Sequence, residues 1–317
     1  MTYGDISARV GLFAVANMLE HAEPILVLEK YAEVKPIPKN KSQTLVFRRP
    51  VPFQPSTVAL TEGVTPVPQM VEYEDVTATI AQYGQWMPFT DVIQDTHEDE
   101  QLKNLTMLSG EQAASTKELL IWNVLRAGSN VVYSGTANSR ATVTAPLDEN
   151  DLAYVQSQLK LAHGKPITKK LSASTNISTE PVAPAYLAFG STALEPILRQ
   201  LDGFVVREKY ASGSPVSDYE IGKWQDIRFI LTPQLIPFAG AGASGKDVYP
   251  LVVIAQHAFA VTPLKGRDSV QIGVKNPTMA GDSTDPLGQR GYVAWKMWFG
   301  VCRLNEAWIY RIESTLA

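Results

Sequence analysis

The residues most able to do chemistry lie in one glycine-rich stretch, AGAGASGKD, at 239–247. Gly240, Gly245 and Lys246 match the frame G-x-x-x-x-G-K, and Gly240, Gly242 and Gly245 match G-x-G-x-x-G. Both frames hold phosphate by presenting backbone N–H groups ahead of a helix N-terminus. The surrounding residues do not complete either frame. Asp247 stands where Ser or Thr would hold magnesium, so a carboxylate would face the phosphates. The next residues, VYPLVVIA, are β-prone and contain Pro250, so no helix starts there. The stretch reads as a surface loop, and a phosphate-binding enzyme built on Gly240–Lys246 is the weaker alternative.

Other reactive side chains are scattered. Asp95, Glu98, Asp99 and Glu100 sit together, but in the first turn of an expected helix, where the macrodipole favours negative charge. Asp148, Glu149 and Asp151 read the same way at a second helix. His21, His97, His163 and His257 include no pair at i+3 or i+4, so no helical metal site is built. Cys302 is the single cysteine and lies in an apolar, aromatic stretch, which makes it a buried thiol. No G-x-S-x-G elbow occurs. Three of the six tryptophans, Trp295, Trp298 and Trp308, fall in expected terminal strands, where core is the default. The chain is read as a non-enzyme with no catalytic residue, metal ligand or cofactor site.

The elements that would position these residues form an elongated set. An amphipathic helix is expected from about Ile6 to His21, followed by a Pro-bearing arm. Two strands, 43–47 and 71–83, flank a long segment holding Pro50, Pro52, Pro55, Pro66 and Pro68. Proline gives no ladder hydrogen bond, so this segment is poor sheet interior. It also carries Val51, Phe53, Val58, Leu60, Val64 and Val67, which need a surface to cover. A helix of about 30 residues, roughly 45 Å, is expected from Asp95, with Asp95 and Glu98 as a capping box. Its length without a sustained heptad predicts a spine instead of a coiled coil. A helix over 148–163 follows, then a strand at PAYLAF and a third helix capped by Thr192 and Glu195. Strands DIRFILT, YPLVVIA and AFAVTPL lead to a terminal hairpin, 292–303 with 307–313, turning at Asn305.

Composition narrows the classes. The chain has 317 residues, 45% of them hydrophobic and 19% charged, which suits a globular protein with a sizeable core. A net charge of -4 does not suit electrostatic binding of nucleic acid as the main task. No apolar run approaches the roughly 20 residues of a membrane span. An N-terminal leader is not expected, because Asp5 offsets Arg9 and no small-x-small site follows.

Five segments, in order, resemble one family. They are LTEGVTPVP at 60–68, TATIAQYGQWMPFTDV at 77–92, YEIGKWQDIRFILTPQL at 219–235, VYPLVVIAQHAFAVTPLKG at 248–266, and IGVKNPT with DPLGQRGYVAWKMWFGVCRLNEAWIYRIES within 272–314. Together they are similar to the major capsid proteins of tailed bacteriophages. The resemblance implies an α+β chain with the Johnson fold, shared with herpesvirus capsid proteins. It implies an N-terminal arm over 1–42 and an extended loop over 43–85. A peripheral domain would combine 86–144 with 266–317, and an axial domain would span 145–265.

The resemblance further implies self-assembly into hexamers and pentamers of an icosahedral head enclosing the DNA genome. Arg48, Arg49, Phe53, Leu60 and Glu62 become candidate inter-subunit contacts. Further partners implied are a separate scaffolding protein, a portal, a decoration protein, and double-stranded DNA touched non-specifically on the inner face. No membrane partner is implied. The protein would reside in the virion after synthesis in the host bacterial cytoplasm. A tail or cement component is the nearest structural alternative.

Overall fold

The computed structural model describes residues 26–96, 101–172, 178–210, 215–266, 270–277 and 285–316. The expected first helix, together with His21, His97 and the Glu98–Glu100 part of the acidic run, lies outside the described residues. The strands, in chain order, are β1 Glu33–Val34, β2 Thr44–Pro50, β3 Tyr73–Thr79, β4 Ala81–Thr90, β5 Val131–Tyr133, β6 Ile167–Ser172, β7 Ser178–Ser191 and β8 Phe204–Val206. They continue with β9 Glu220–Trp224, β10 Ile227–Thr232, β11 Tyr249–Ile254, β12 Phe259–Val261, β13 Gln271–Lys275, β14 Arg290–Phe299, β15 Val301–Arg303 and β16 Ile309–Ser314. The α-helices are α1 Asp91–Thr96, α2 Gln101–Leu125, α3 Glu149–Leu161 and α4 Glu195–Leu198.

The largest sheet has the order β5-β16-β11-β7-β10-β9-β8, with β6 paired to β7. Its central strands are apolar on both faces, and the two-residue period divides them cleanly. Leu187, Phe189, Ile230, Val252 and Ile254 point to one face, against Ile121, Trp122 and Leu125 of α2. Tyr186, Ala188, Phe229, Leu231, Leu251 and Val253 point to the other, against Leu152, Val155 and Leu159 of α3. The stripe that α3 was expected to show is therefore the one it buries. Asp148 caps α3, accepting from the Glu149 N–H at 2.6 Å, and Asp151 completes the box.

Helix α2 is the spine. Its 25 residues span about 38 Å at 1.5 Å per residue. The middle of α2 packs on a three-stranded sheet, β13-β14-β4, where Ala113 meets Trp295 and Met297. A small sheet, β1-β12-β15, and the isolated ribbon β2-β3 complete the architecture. The base of that ribbon is packed, with Ala78 buried against Ala260 and Cys302.

Four expectations need correction. Helix begins at Asp91, before the expected Asp95, and 97–100 lies outside the described residues. The third helix is only a 3-10 turn, Thr192–Leu194, plus the single turn α4, and the chain turns away at Gly203, whose φ is 78°. Its cap is Ser191, which accepts from the Ala193 N–H, and not Thr192. The terminal hairpin does not form. Its first strand breaks at Gly300, where the backbone passes so close to β3 that a Cβ would lie 2.6 Å from the Thr79 carbonyl oxygen. β14 joins β4 and β13, β15 joins β12, and β16 inserts between β5 and β11. The last strand thus lies in the same sheet as strands within 145–265.

The arm is also more integrated than an unsupported extended segment. Val27, Leu28 and Ile37 are buried, and β1 runs parallel to β12. Glu118 of α2, fully buried, accepts the Leu28 N–H at 3.0 Å and the Val27 N–H at 3.3 Å. Lys117 beside it pairs with Glu29 at 3.3 Å. Burial pushes the Glu118 carboxyl up to about 7, against the two N–H bonds that favour the charged form. A folded value raised above 4.5 means stability falls as pH rises towards 7 and is lowest above it. Glu118→Gln should flatten the thermal-stability profile between about pH 5 and pH 7. Trp122→Ala should cost about 3–5 kcal/mol in urea unfolding, since the ring is fully buried and Nε1 donates to the Ile236 carbonyl.

Candidate assembly interface

The glycine-rich loop is closed upon itself. The Gly240 N–H donates to Asp247 Oδ1 at 2.7 Å, and the Gly242 N–H donates to the Lys246 carbonyl at 2.8 Å. The Gly245 and Lys246 N–H groups donate to the carbonyls of Gly242 and Ala243. The N–H groups that a phosphate would need already have acceptors, and Asp247 occupies the place of the anion. Only a 3-10 turn, Ala243–Gly245, is present, and β11 follows. The helix dipole that would complete such a site is missing from this loop.

Among the described residues, the other candidate groups take part in contacts of their own chain or are buried. His163 and His257 sit at positive φ, 52° and 58°, at turns. His257 Nδ1 lies 3.2 Å from Glu33 Oε2, tying the β1 segment to the loop before β12. Burial pushes the Cys302 thiol up to about 11, which suppresses the reactive thiolate. Among the described residues, no cluster of three His, Cys, Asp or Glu could hold a metal. Trp122, Trp224 and Trp295 are buried, and their ring N–H groups donate to Ile236, Asp202 and Gln112. Trp308 donates to the Ala162 carbonyl. Trp86 is the exception among the tryptophans, at 59% exposed.

The surface that stands out is the β2-β3 ribbon. Its register pairs Thr44 with Thr79 and Pro50 with Tyr73. Leu45 and Phe47 alternate with exposed Thr44, Val46 and Arg48, as a half-buried strand requires. Arg48 and Asp75 face each other across the strands and form a bidentate pair, Nε–Oδ1 at 2.8 Å and Nη2–Oδ2 at 3.0 Å. That pairing lowers the Asp75 carboxyl below its ordinary value. Arg49 pairs with Glu74, and the Arg48 guanidinium also lies over the Tyr73 ring at 5.5 Å. These solvated pairs fix cross-strand register more than they add stability.

Beyond the stem, every residue from 51 to 72 is exposed. Val58, Leu60, Val67 and Met70 are each more than three-quarters exposed, and Phe53 is 56% exposed. Residues 51–72 form no regular structure apart from a turn at Glu62–Gly63. Of the five predicted contact residues, Arg48 and Arg49 lie on the stem, held by their own chain's carboxylates, while Phe53, Leu60 and Glu62 lie on the tip. A soluble monomer rarely exposes so much contiguous apolar surface.

The fold and the projecting ribbon define a subunit that completes itself through other subunits. A family model described as phage capsid protein matches residues 73–312. The chain belongs to the phage capsid protein family, whose members are structural, shell-forming proteins. A curated relative, the major capsid protein of Pseudomonas phage KPP21, is 25% identical over 263 residues, covering 74% of this chain and 66% of that protein. The chain therefore aligns with slightly under two thirds of that relative's length. The capsid of Ralstonia phage GP4 has a TM-score of 0.67 at 14% identity, covering 92% of this chain and 91% of that one. The capsid of cyanophage Pam1 has a TM-score of 0.62 at 14% identity, covering 94% and 92%. The head of Helicobacter pylori bacteriophage KHP40 has a TM-score of 0.62 at 11% identity, covering 91% and 88%. The fold is the phage capsid, or Johnson, fold.

The closed geometry of the Gly240–Asp247 loop has a direct consequence. Titration of the purified chain with magnesium ATP should give no saturable binding heat, and Lys246→Ala should melt with the parent. Saturable binding lost in Lys246→Ala would reopen the phosphate reading.

Proposed function

We propose that this chain is the major head subunit of a tailed phage and assembles as hexamers and pentamers into an icosahedral shell around the genome. The observation that carries this reading is the tip at 51–72. It is apolar, fully exposed, and held away from its own core by a paired stem. Seven paired residues at about 3.3 Å each set the tip roughly 20 Å from the base of the ribbon. Family membership supplies the partner most consistent with that surface, another copy of the chain. A contact in which the tip of one copy meets a different surface of the next is heterologous, and a repeated heterologous contact closes rings.

In this reading the arm covers 1–42 and the extended loop 43–85. The axial domain covers 145–265, and the peripheral domain joins 86–144 to 266–317, with β16 reaching back into the large sheet. Phe53, Leu60 and Glu62 make direct contacts between subunits, while Arg48 and Arg49 stiffen the stem that presents them. A scaffolding protein, a portal and a decoration protein complete the set of partners. The packaged double-stranded DNA meets the inner face non-specifically and, with a net charge of -4 on the chain, without strong overall electrostatic attraction. Synthesis takes place in the host cytoplasm, and the mature protein resides in the head.

Replacing 51–71 by a two-residue turn should leave the stem paired and the monomer folded. Circular dichroism and the melting temperature should match the parent closely, while negative-stain microscopy should show no shells. Normal shells from the shortened chain would overturn the proposal.

A further inference from the structure

The segment 26–37 is tied to the spine helix by a contact whose charge is not balanced. It begins with the 3-10 turn Leu28–Tyr31, preceded by Val27. The first N–H groups of such a turn find no acceptor within it. Glu118 of α2 supplies one from far along the chain. Its carboxylate oxygens accept the Leu28 N–H at 3.0 and 3.2 Å and the Val27 N–H at 3.3 Å. Glu118 is fully buried, and Lys117 beside it turns to Glu29 and to the Phe299 ring instead. On the turn, Glu29 opposes ionisation of the carboxyl and Lys30 favours it. The charges on the neighbouring strands are engaged elsewhere. Glu220 pairs with Arg228 on β9 and β10, Arg303 of β15 pairs with Glu306, and Lys296 of β14 is exposed. With its proton on, Glu118 is a neutral group in the core. Ionised, it keeps its N–H donors but sits at depth without a cation, and the alternative is for the turn to lift off and admit water.

We infer that Glu118 is a proton-operated latch: protonated, it holds the segment 26–37 on the spine helix, and ionised, it lets that segment detach locally while the large sheet stays folded. Locality follows from how the segment is attached. β1 has two residues and pairs only with β12, at the edge of a small sheet. Val27, Leu28 and Ile37 bury their side chains, and Tyr31 donates to the Val216 carbonyl at 3.2 Å. Lifting this segment removes no strand from the sheet β5-β16-β11-β7-β10-β9-β8. The buried apolar side chains keep the segment mostly docked at any pH, so ionisation acts by multiplying a rare open state. Detached, the carboxyl meets water and returns to its ordinary value of 4.5, whereas burial pushes it up to about 7 in the docked state. Closure is therefore strongest below pH 4.5, weakens as pH rises from there, and levels off above about pH 7. Across that interval the open fraction rises by up to about two orders of magnitude.

Hydrogen exchange of the full-length chain tests the latch, read by mass spectrometry as protection factors corrected for the intrinsic pH dependence of exchange. Between about pH 5 and pH 7.5, protection of residues 27–32 should fall at least about tenfold, while β10 and β11 keep theirs. Glu118→Gln is uncharged at every pH and should remove the fall at 27–32. Glu29→Gln keeps the carboxyl, takes away the charge that opposes its ionisation and leaves Lys117 free to turn towards it. The fall in that variant should be smaller than in the parent, which gives a second reading where Glu118→Gln does not fold. Protection at 27–32 that does not change with pH in the parent would overturn the latch. So would a fall shared equally by β10 and β11, or an undiminished fall in whichever variant folds.

Discussion

The architecture depends on one helix being held at its middle and along its C-terminal half. Helix α2 contributes Trp122 and Leu125 to the core under the large sheet and Ala113 to the core under the small one. Its last carbonyls are taken by arginines from distant strands. Arg303 donates to the Val124 carbonyl at 2.7 Å, and Arg311 donates to the carbonyls of Arg126 and Gly128. Positive charge at a helix C-terminus also complements the macrodipole. Glu118 and Lys117 fasten the arm to the same helix. Two sheets that share no strand thus keep a fixed relation through a single rigid element.

The C-terminal end of the spine shows how buried charge is made tolerable. Glu313 is fully buried and receives both Arg140 Nε and Nη2, at 2.8 and 2.7 Å. Arg126, Arg140 and Arg311 surround the Phe238 ring, with Arg140 closest at 3.6 Å from its centre. A carboxylate alone at that depth would carry a large desolvation penalty. Here the bidentate pair offsets part of it, the Phe238 ring face favours the arginines that gather there, and the strand that bears Glu313 is locked beside β5 and β11. This places β16 second from the edge of the largest sheet, between β5 and β11, and not beside β15 as a hairpin would.

Much of this was legible in the residues. The stripe of Leu152, Val155 and Leu159 and the cap at Asp148 follow from local rules that tertiary contacts had no reason to override. The failure of the phosphate frame was visible at Asp247, and the loop closes through that residue. The terminal hairpin was misread because β-propensity says where a strand lies but not which strand it joins. Gly300 was the available signal, since a glycine inside an aromatic strand marks close approach of another backbone. The outward position of Trp86 was also recoverable from its parity with Gly84 and Pro88 on β4, but a lone tryptophan count hid it among buried neighbours.

The division between covered and uncovered surface then has a physical reading. The large sheet is covered on both faces, and the segment 26–37 joins that core, so none of the described residues shelters the ribbon tip. Folding alone cannot remove this apolar area from water, because the stem's cross-strand pairs hold the tip outward. The same stem fixes where the tip projects in advance of contact. Ordering the stem beforehand leaves only the tip to lose freedom on association, so a modest contact can still favour binding. Many modest contacts repeated around a closed shell suit assembly better than one strong contact. Weak individual contacts let misplaced subunits dissociate before the lattice closes around them.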